Sequence, residues 1–167
     1  QEDAKYLSRK LRGKHPPVDP LYTEEHVDGM MRRMQPLSFL AWHQLGEDFR
    51  LRFHPAGHIL GSAIVEMEVL DGTDLKRLVF TGDLGRRGMP LLVDPAPVEG
   101  ADVLITECLY GGRVHPAAGD IKSALKDIIC ETRDRGGRTI IPAFALGRTQ
   151  QIVYFLNELF NEGAMCP

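Results

Sequence analysis

The stretch His54-Pro55-Ala56-Gly57-His58-Ile59-Leu60-Gly61-Ser62-Ala63, answered further on by Thr81-Gly82-Asp83-Leu84-Gly85, decides how this chain is read. Each segment follows a hydrophobic run: Phe49, Leu51 and Phe53 precede the first, and Leu78-Val79-Phe80 precedes the second. Each carries one ligand-type side chain set against glycine. Taken alone, His58 reads as a hydrogen-bonded loop histidine and Asp83 as a turn aspartate, with the glycines supplying positive φ. Their shared position at strand ends of one β-rich region changes this, because a neutral imidazole and a carboxylate there can converge on Zn²⁺. His58 and Asp83 are therefore the candidate metal ligands. His54 falls in phase with Arg50 and Arg52 and is expected on the exposed side of its strand. His115, shortly after Gly112, reads either way.

Outward from these loops the pattern is two-fold, then helical. Phe49, Leu51 and Phe53 alternate with Arg50, Arg52 and His54, the period of a half-buried strand. Val65, Met67 and Val69 alternate with Glu66 and Glu68, and Asp71-Gly72 turns the chain into the return strand Leu78-Val79-Phe80. A proline-rich loop over 90–97 leads to Val103-Leu104-Ile105, a further strand and the third with a polar residue at its tip, Glu107, with Tyr110-Gly111-Gly112 beyond. A carboxylate at the end of an apolar strand needs a partner. Glu107 is either salt-bridged to Arg113 or is a carboxylate that orients the metal site and takes part in proton transfer.

Toward the start, Ala4, Leu7 and Leu11 predict a short amphipathic helix before a break over 13–20. Thr23 as N-cap, Glu24 and Glu25 in the first turn, a buried stripe of Val27, Met30, Met31 and Met34, and then Pro36 predict a second helix. Toward the end, Ile121, Ala124, Leu125, Ile128 and Ile129 predict a helix. Gly136-Gly137 leads from it to a strand at Thr139-Ile140-Ile141, and Ile152, Val153, Leu156, Leu159 and Phe160 predict a last helix. Alternating α and β with short glycine turns predicts a parallel sheet and a domain border near Gly111. The turn Pro142-Ala143-Phe144-Ala145-Leu146-Gly147-Arg148-Thr149-Gln150 opens that last helix. Backbone N–H groups at a helix start, close approach at Gly147 and the donor fork of Arg148 suit a phosphate, whereas the structural alternative pairs Arg148 with an acidic neighbour.

Composition narrows the classes. The 167 residues are 43% hydrophobic and 26% charged, enough for a globular domain with a core. Lys and Arg total 20 against 23 Asp and Glu, a formal charge of -3, so any polyanion site is local. Cys108, Cys130 and Cys166 are odd in number and lack CxxC spacing, which excludes a disulfide framework and a cysteine zinc knot and points to a reducing cytoplasm. No apolar run approaches the roughly 20 residues of a membrane span. A start at Gln1 and an end at Cys166-Pro167 are expected of a fragment.

Five ordered segments then meet a known family: Ala56 through Ala63, Phe80 through Gly85, Asp102 through Glu107, Tyr110-Gly111, and Ile141 through Gln150. In order and spacing the chain resembles the β-CASP branch of the metallo-β-lactamase fold. The resemblance implies an α/β protein: part of an αββα metallo-β-lactamase sandwich over 1–110, then the beginning of a β-CASP domain over 111–167. It implies a zinc-dependent ribonuclease with two zinc ions in the complete protein. His58 and Asp83 match metal ligands, the second bridging, and Glu107 matches an acidic motif residue. Asp83 and Glu107 would take part in catalysis, while Gly147, Arg148 and Thr149 would meet nucleic-acid phosphate. Implied partners are RNA, with single-stranded DNA as the other polymer, and either a second copy or processing-complex subunits. The family's His-x-His-x-Asp-His motif and its late histidines do not occur in this sequence, and Cys108-Leu109 replaces a frequent Ser-Thr. Two alternatives stand beside the nuclease: a catalytically silent paralogue that binds RNA or scaffolds a complex, and a small-molecule metallo-hydrolase, which the segment up to Gln150 disfavours.

Overall fold

A computed structural model describes residues 1–114 and 118–165; His115 and Cys166 lie outside the described residues. The chain divides into two compact units, Gln1–Leu37 and Ser38–Pro167.

The first unit is a pair of short helices. Helix α1, Glu2–Lys10, carries Glu2 and Asp3 in its first turn and Arg9 and Lys10 in its last, each sign complementing the helix dipole, and it buries Ala4. The Val18 N–H donates to the Ser8 hydroxyl at 2.8 Å, tying the following loop to α1. Helix α2, Glu24–Met31, begins at Thr23, whose backbone N–H donates to Nδ1 of His26 at 3.1 Å. Its predicted buried stripe is not buried: Val27, Met30, Met31 and Met34 are all exposed. Helical period says which residues share a face, and only a partner surface removes that face from water.

The second unit is built on a five-stranded sheet, β1 (Trp42–Gln44), β2 (Phe49–Pro55), β3 (Ala63–Asp71), β4 (Asp74–Phe80) and β5 (Val103–Ile105), in the order β1-β2-β3-β4-β5. The first four strands pair antiparallel, and β5 joins β4 in parallel. The predicted hairpin forms with Asp71 opposite Asp74 and Gly72 at φ +64°. The three-residue β1 was not anticipated, having no alternation to announce it. After the sheet come α3, Ala118–Asp134, and α4, Arg148–Asn161, held together in part by Lys122, which reaches Glu158 at 3.2 Å and Glu162 at 2.6 Å.

Two expectations fail here. Thr139-Ile140-Ile141 is not a strand, so the parallel sheet is limited to the β4–β5 pair. A β-branched run becomes a strand only beside a neighbour that satisfies its backbone groups, and Ile140 remains 89% exposed. His54 is the second. It is buried rather than exposed, with Nε2 at 2.6 Å from a Glu66 carboxylate oxygen.

The reason for His54 lies in the sheet register. Arg52 stands opposite Glu66, Arg50 opposite Glu68, and Glu68 opposite Arg77, so one face carries a ladder of opposite charges. Arg52 Nη2 lies 2.7 Å from Glu66, Arg50 Nη2 2.6 Å from Glu68, and Arg77 Nη2 2.9 Å from Glu68. Both carboxylates are almost fully buried, and the Trp42 ring sits 4.5 Å from the Arg50 guanidinium carbon and 4.6 Å from that of Arg52. Burial acts to raise the pKa of Glu66, but hydrogen bonds from His54 and Arg52 outweigh it and hold the group below its ordinary range. Glu68 is likewise raised by burial and, more strongly, lowered by hydrogen bonds from Arg77 and Arg50. The same face also supplies the apolar core, Ala56, Ile64 and Val79 with Leu84 and Val98 packed against it. That core lies directly under the loops bearing His58 and Asp83.

Candidate active site

Three loops leave the sheet side by side, and backbone contact fixes their spacing. The first runs from the end of β2 to the start of β3. Its Ser62 hydroxyl accepts the N–H groups of His58 at 3.0 Å and Ile59 at 3.2 Å, while the Ser62 N–H donates to the Ile59 carbonyl. One side chain therefore closes the turn from which His58 projects. The second loop follows β4. Buried Thr81 anchors it: its N–H donates to the Ile105 carbonyl at 3.0 Å and its hydroxyl to the Gly82 carbonyl at 2.8 Å.

The two loops touch where both are glycine. The Gly85 N–H donates to the Ala56 carbonyl at 2.8 Å, and a Cβ on Gly85 would fall 1.7 Å from the Gly57 carbonyl oxygen. No other residue permits that approach. The crossing brings His58 Nε2 to 3.8 Å from Asp83 Oδ2, with the side chains 45% and 76% exposed.

Glu107 belongs to the third loop, past β5. Its Oε1 accepts the backbone N–H of Leu84 at 2.8 Å, so it fixes the peptide next to Asp83. Among the described residues no ion pair joins it to Arg113. The tip of α4 closes the fourth side. A Cβ on Gly147 would lie 2.8 Å from Ile59 Cγ2, so the helix start rests against the His58 loop. The Thr149 hydroxyl donates to the Phe144 carbonyl at 2.6 Å and the Gln150 amide to the Ala145 carbonyl at 2.9 Å, shaping the turn that presents exposed Arg148. Together these walls enclose an open cleft of about 360 Å³ lined by His58, Asp83, Glu107, Tyr110, Gly147 and Arg148, among others.

His58, Asp83, Glu107, Gly147 and Arg148 thus line one cleft, while the Thr149 hydroxyl is engaged inside its own turn and His54 lies in the sheet's charge ladder. Three contributors went unassigned from sequence. Ser62 and Thr81 carry the weak signal of a hydroxyl residue beside glycine in a loop, and Gln151, buried at the head of the inward stripe of α4, carries none.

As a metal site the cleft is incomplete. An imidazole nitrogen and a carboxylate oxygen facing each other across solvent are donors of the right chemistry. Among the described residues no group of three His, Cys, Asp or Glu side chains gathers to hold an ion, and a catalytic zinc takes about three protein ligands. His58 and Asp83 fit as members of a ligand set, not as all of it.

No family model matches the chain. Individual proteins do. An RNase J-like protein of Methanocaldococcus jannaschii is 32% identical over 176 residues, covering 96% of this chain and 41% of the relative. A ribonuclease of Thermus thermophilus is 36% identical over 138 residues, 83% of this chain and 31% of the relative. The cleavage and polyadenylation specificity factor 73 of Drosophila melanogaster is 31% identical over 145 residues, 85% of this chain and 20% of the relative.

The chain belongs to the β-CASP branch of the metallo-β-lactamase fold.

It spans less than half the length of each of these relatives. Its α/β architecture and five-stranded sheet agree with the expected fold class. Nucleases of this fold are metal-dependent. Among the described residues no helix is long and apolar enough to cross a membrane.

Proposed function

We propose that the whole protein hydrolyses RNA phosphodiester bonds in the cleft between the His58 and Asp83 loops and the start of α4. The observation that carries this reading is the 3.8 Å approach of His58 to Asp83 inside a cleft whose far wall presents Arg148. His58 and Asp83 would hold zinc, in a two-ion centre completed by other ligands. A bound metal ion would supply Lewis acidity and a water activated near neutral pH.

The chain's own residues divide the remaining work. Glu107 holds the Leu84 peptide and so sets the direction of Asp83. Arg148 offers a planar donor fork to a backbone phosphate, assisted by the Gly147 turn and the N–H groups opening α4. Thr149 acts through the shape of that turn. The border between the metallo-β-lactamase-like part and the β-CASP part falls near Gly111, so the cleft lies where the two meet. We assign the protein to the cytoplasm, acting on RNA alone or with processing-complex subunits. A scaffold that binds RNA without cutting it is the second reading, favoured by the small number of metal donors in the described cleft.

The test is cleavage of an end-labelled single-stranded RNA by the whole protein, with and without a chelator. Product formation that stops on chelation and returns with added zinc is expected. RNA bound but left intact at every metal concentration would favour the scaffold.

A further inference from the structure

We propose that a slot beside the cleft, between the 59–60 and 91–92 turns, receives one base of the RNA strand, adenine in preference, and that Gln151 reads its edge. This deepens the ribonuclease reading and rests on it.

The slot measures about 110 Å³ and is walled by Ile59, Leu60, Leu91, Leu92 and Leu146, with Gln151 among its lining residues. It opens into the main cleft, since Ile59, Leu92, Leu146 and Gln151 line both. Its rim is apolar yet open to solvent, Leu60 being 76% and Leu146 71% exposed. Leu91 sits at φ +69°, a left-handed conformation uncommon for a residue other than glycine, and so holds an exposed leucine at the slot.

Gln151 is the observation that points to a ligand. It heads the inward stripe Gln151, Phe155, Leu159 of α4 and is only 9% exposed. Among the described residues none hydrogen-bonds its carboxamide, whereas neighbouring Gln150 donates to Ala145. The carboxamide is not sealed either, because Arg77 Nε is the side-chain nitrogen or oxygen among the described residues that is fully buried without a hydrogen-bond partner. The carboxamide therefore keeps solvent contact, and its donor and acceptor capacity is left for a ligand at the slot that Gln151 lines.

The chemistry selects the occupant. The slot's walls carry no charge, so a phosphate does not belong inside; Arg148 lines the cleft but not the slot. A cation outside and apolar walls inside match the two ends of a nucleotide. A wholly apolar occupant would leave the amide unmatched. Two carboxamides line the slot; the nitrogen of Gln150 already donates to Ala145, and the carboxamide of Gln151 leaves a donor and an acceptor that complement the N7 acceptor and N6 donor on adenine. Single-stranded RNA presents its bases in this way, stacked between side chains and read along an edge.

Equilibrium binding of short fluorescent oligo(A) and oligo(U) to the whole protein, with chelator present to stop turnover, tests the proposal. Wild type should bind oligo(A) about five- to tenfold more tightly, the lower end of what a bidentate amide contact discriminates. Gln151→Met, close in volume, should lose that preference while keeping its affinity for oligo(U) and its salt dependence. Gln151→Glu, isosteric but unable to donate, should lose it as well and supplies the comparison if the methionine variant does not fold. Equal affinities in wild type, or a preference that survives both variants, would overturn the base slot and leave the ribonuclease reading standing. No binding to either RNA would overturn the ribonuclease reading and the slot with it.

Discussion

Glu107 occupies a strand tip where a carboxylate needs a partner, and the one it accepts from is the peptide beside Asp83. Glu107→Gln keeps an acceptor oxygen but weakens the charge-assisted bond, so turnover should fall on the order of 10- to 100-fold while metal content changes little. Steady-state kinetics with elemental analysis on the same sample would check this; unchanged turnover would leave Glu107 as a support for the loop alone. Arg148 differs in kind. It is exposed at the start of α4, so Arg148→Ala should spare the fold, weaken binding about equally for all RNA sequences and lower the salt slope by roughly 0.7 for a single strand. Affinity measured against salt concentration for both forms decides it, identical slopes returning Arg148 to a structural role. The glycines at 57 and 85 are legible only in part. Their presence in loops reads as conformational freedom, but what the structure requires is the bare backbone contact between them.

At the scale of elements, the strands were legible and their faces were not. Period two placed β2 and β3 from their alternation, and the Asp71-Gly72 turn with the apolar run Leu78-Val79-Phe80 placed β4. The same alternation suggested that Arg50, Arg52 and His54 face water. Register reverses this: opposite charges meet across β2, β3 and β4, neutralise one another and bury Glu66 to 1% exposure. A single strand's pattern cannot show its neighbour's charges. The consequence is a measurable acid sensitivity. Glu66 and Glu68 have pKa values depressed below the ordinary 4.5, so the native state binds fewer protons than the unfolded chain in that region. Their stabilisation is fully present above about pH 4.5 and is lost as pH falls through the depressed folded values. Glu66→Gln should cost about 3 kcal/mol near neutral pH, because Arg52 and His54 then face a neutral amide, and it should flatten the decline in acid. Thermal unfolding across an acid series would show this. Parallel profiles for wild type and variant would mean that the ladder's charges do not hold the sheet.

For the whole molecule, order and spacing of five short segments carried the family, while the tertiary cover of several elements stayed beyond reach. The Met30 and Met31 stripe, Ile140 and all of β5 are apolar yet exposed, because a pattern specifies a face and not the surface that meets it. The cleft itself was legible as a list of residues, His58, Asp83, Glu107 and Arg148, but its assembly depends on Ser62, Thr81, Gly85 and Gly147, whose roles exist only when loops distant in sequence touch. We propose that the touching loops make part of a metal-dependent RNA-cleaving site, and RNA turnover and bound metal, measured together on the whole protein for wild type and Asp83→Ala, decide it. Asp83 is exposed and outside the core, so the variant should fold normally, lose metal and lose turnover by several orders of magnitude. Near-normal turnover with unchanged metal content in Asp83→Ala would show that the crossing of these loops is not the metal site.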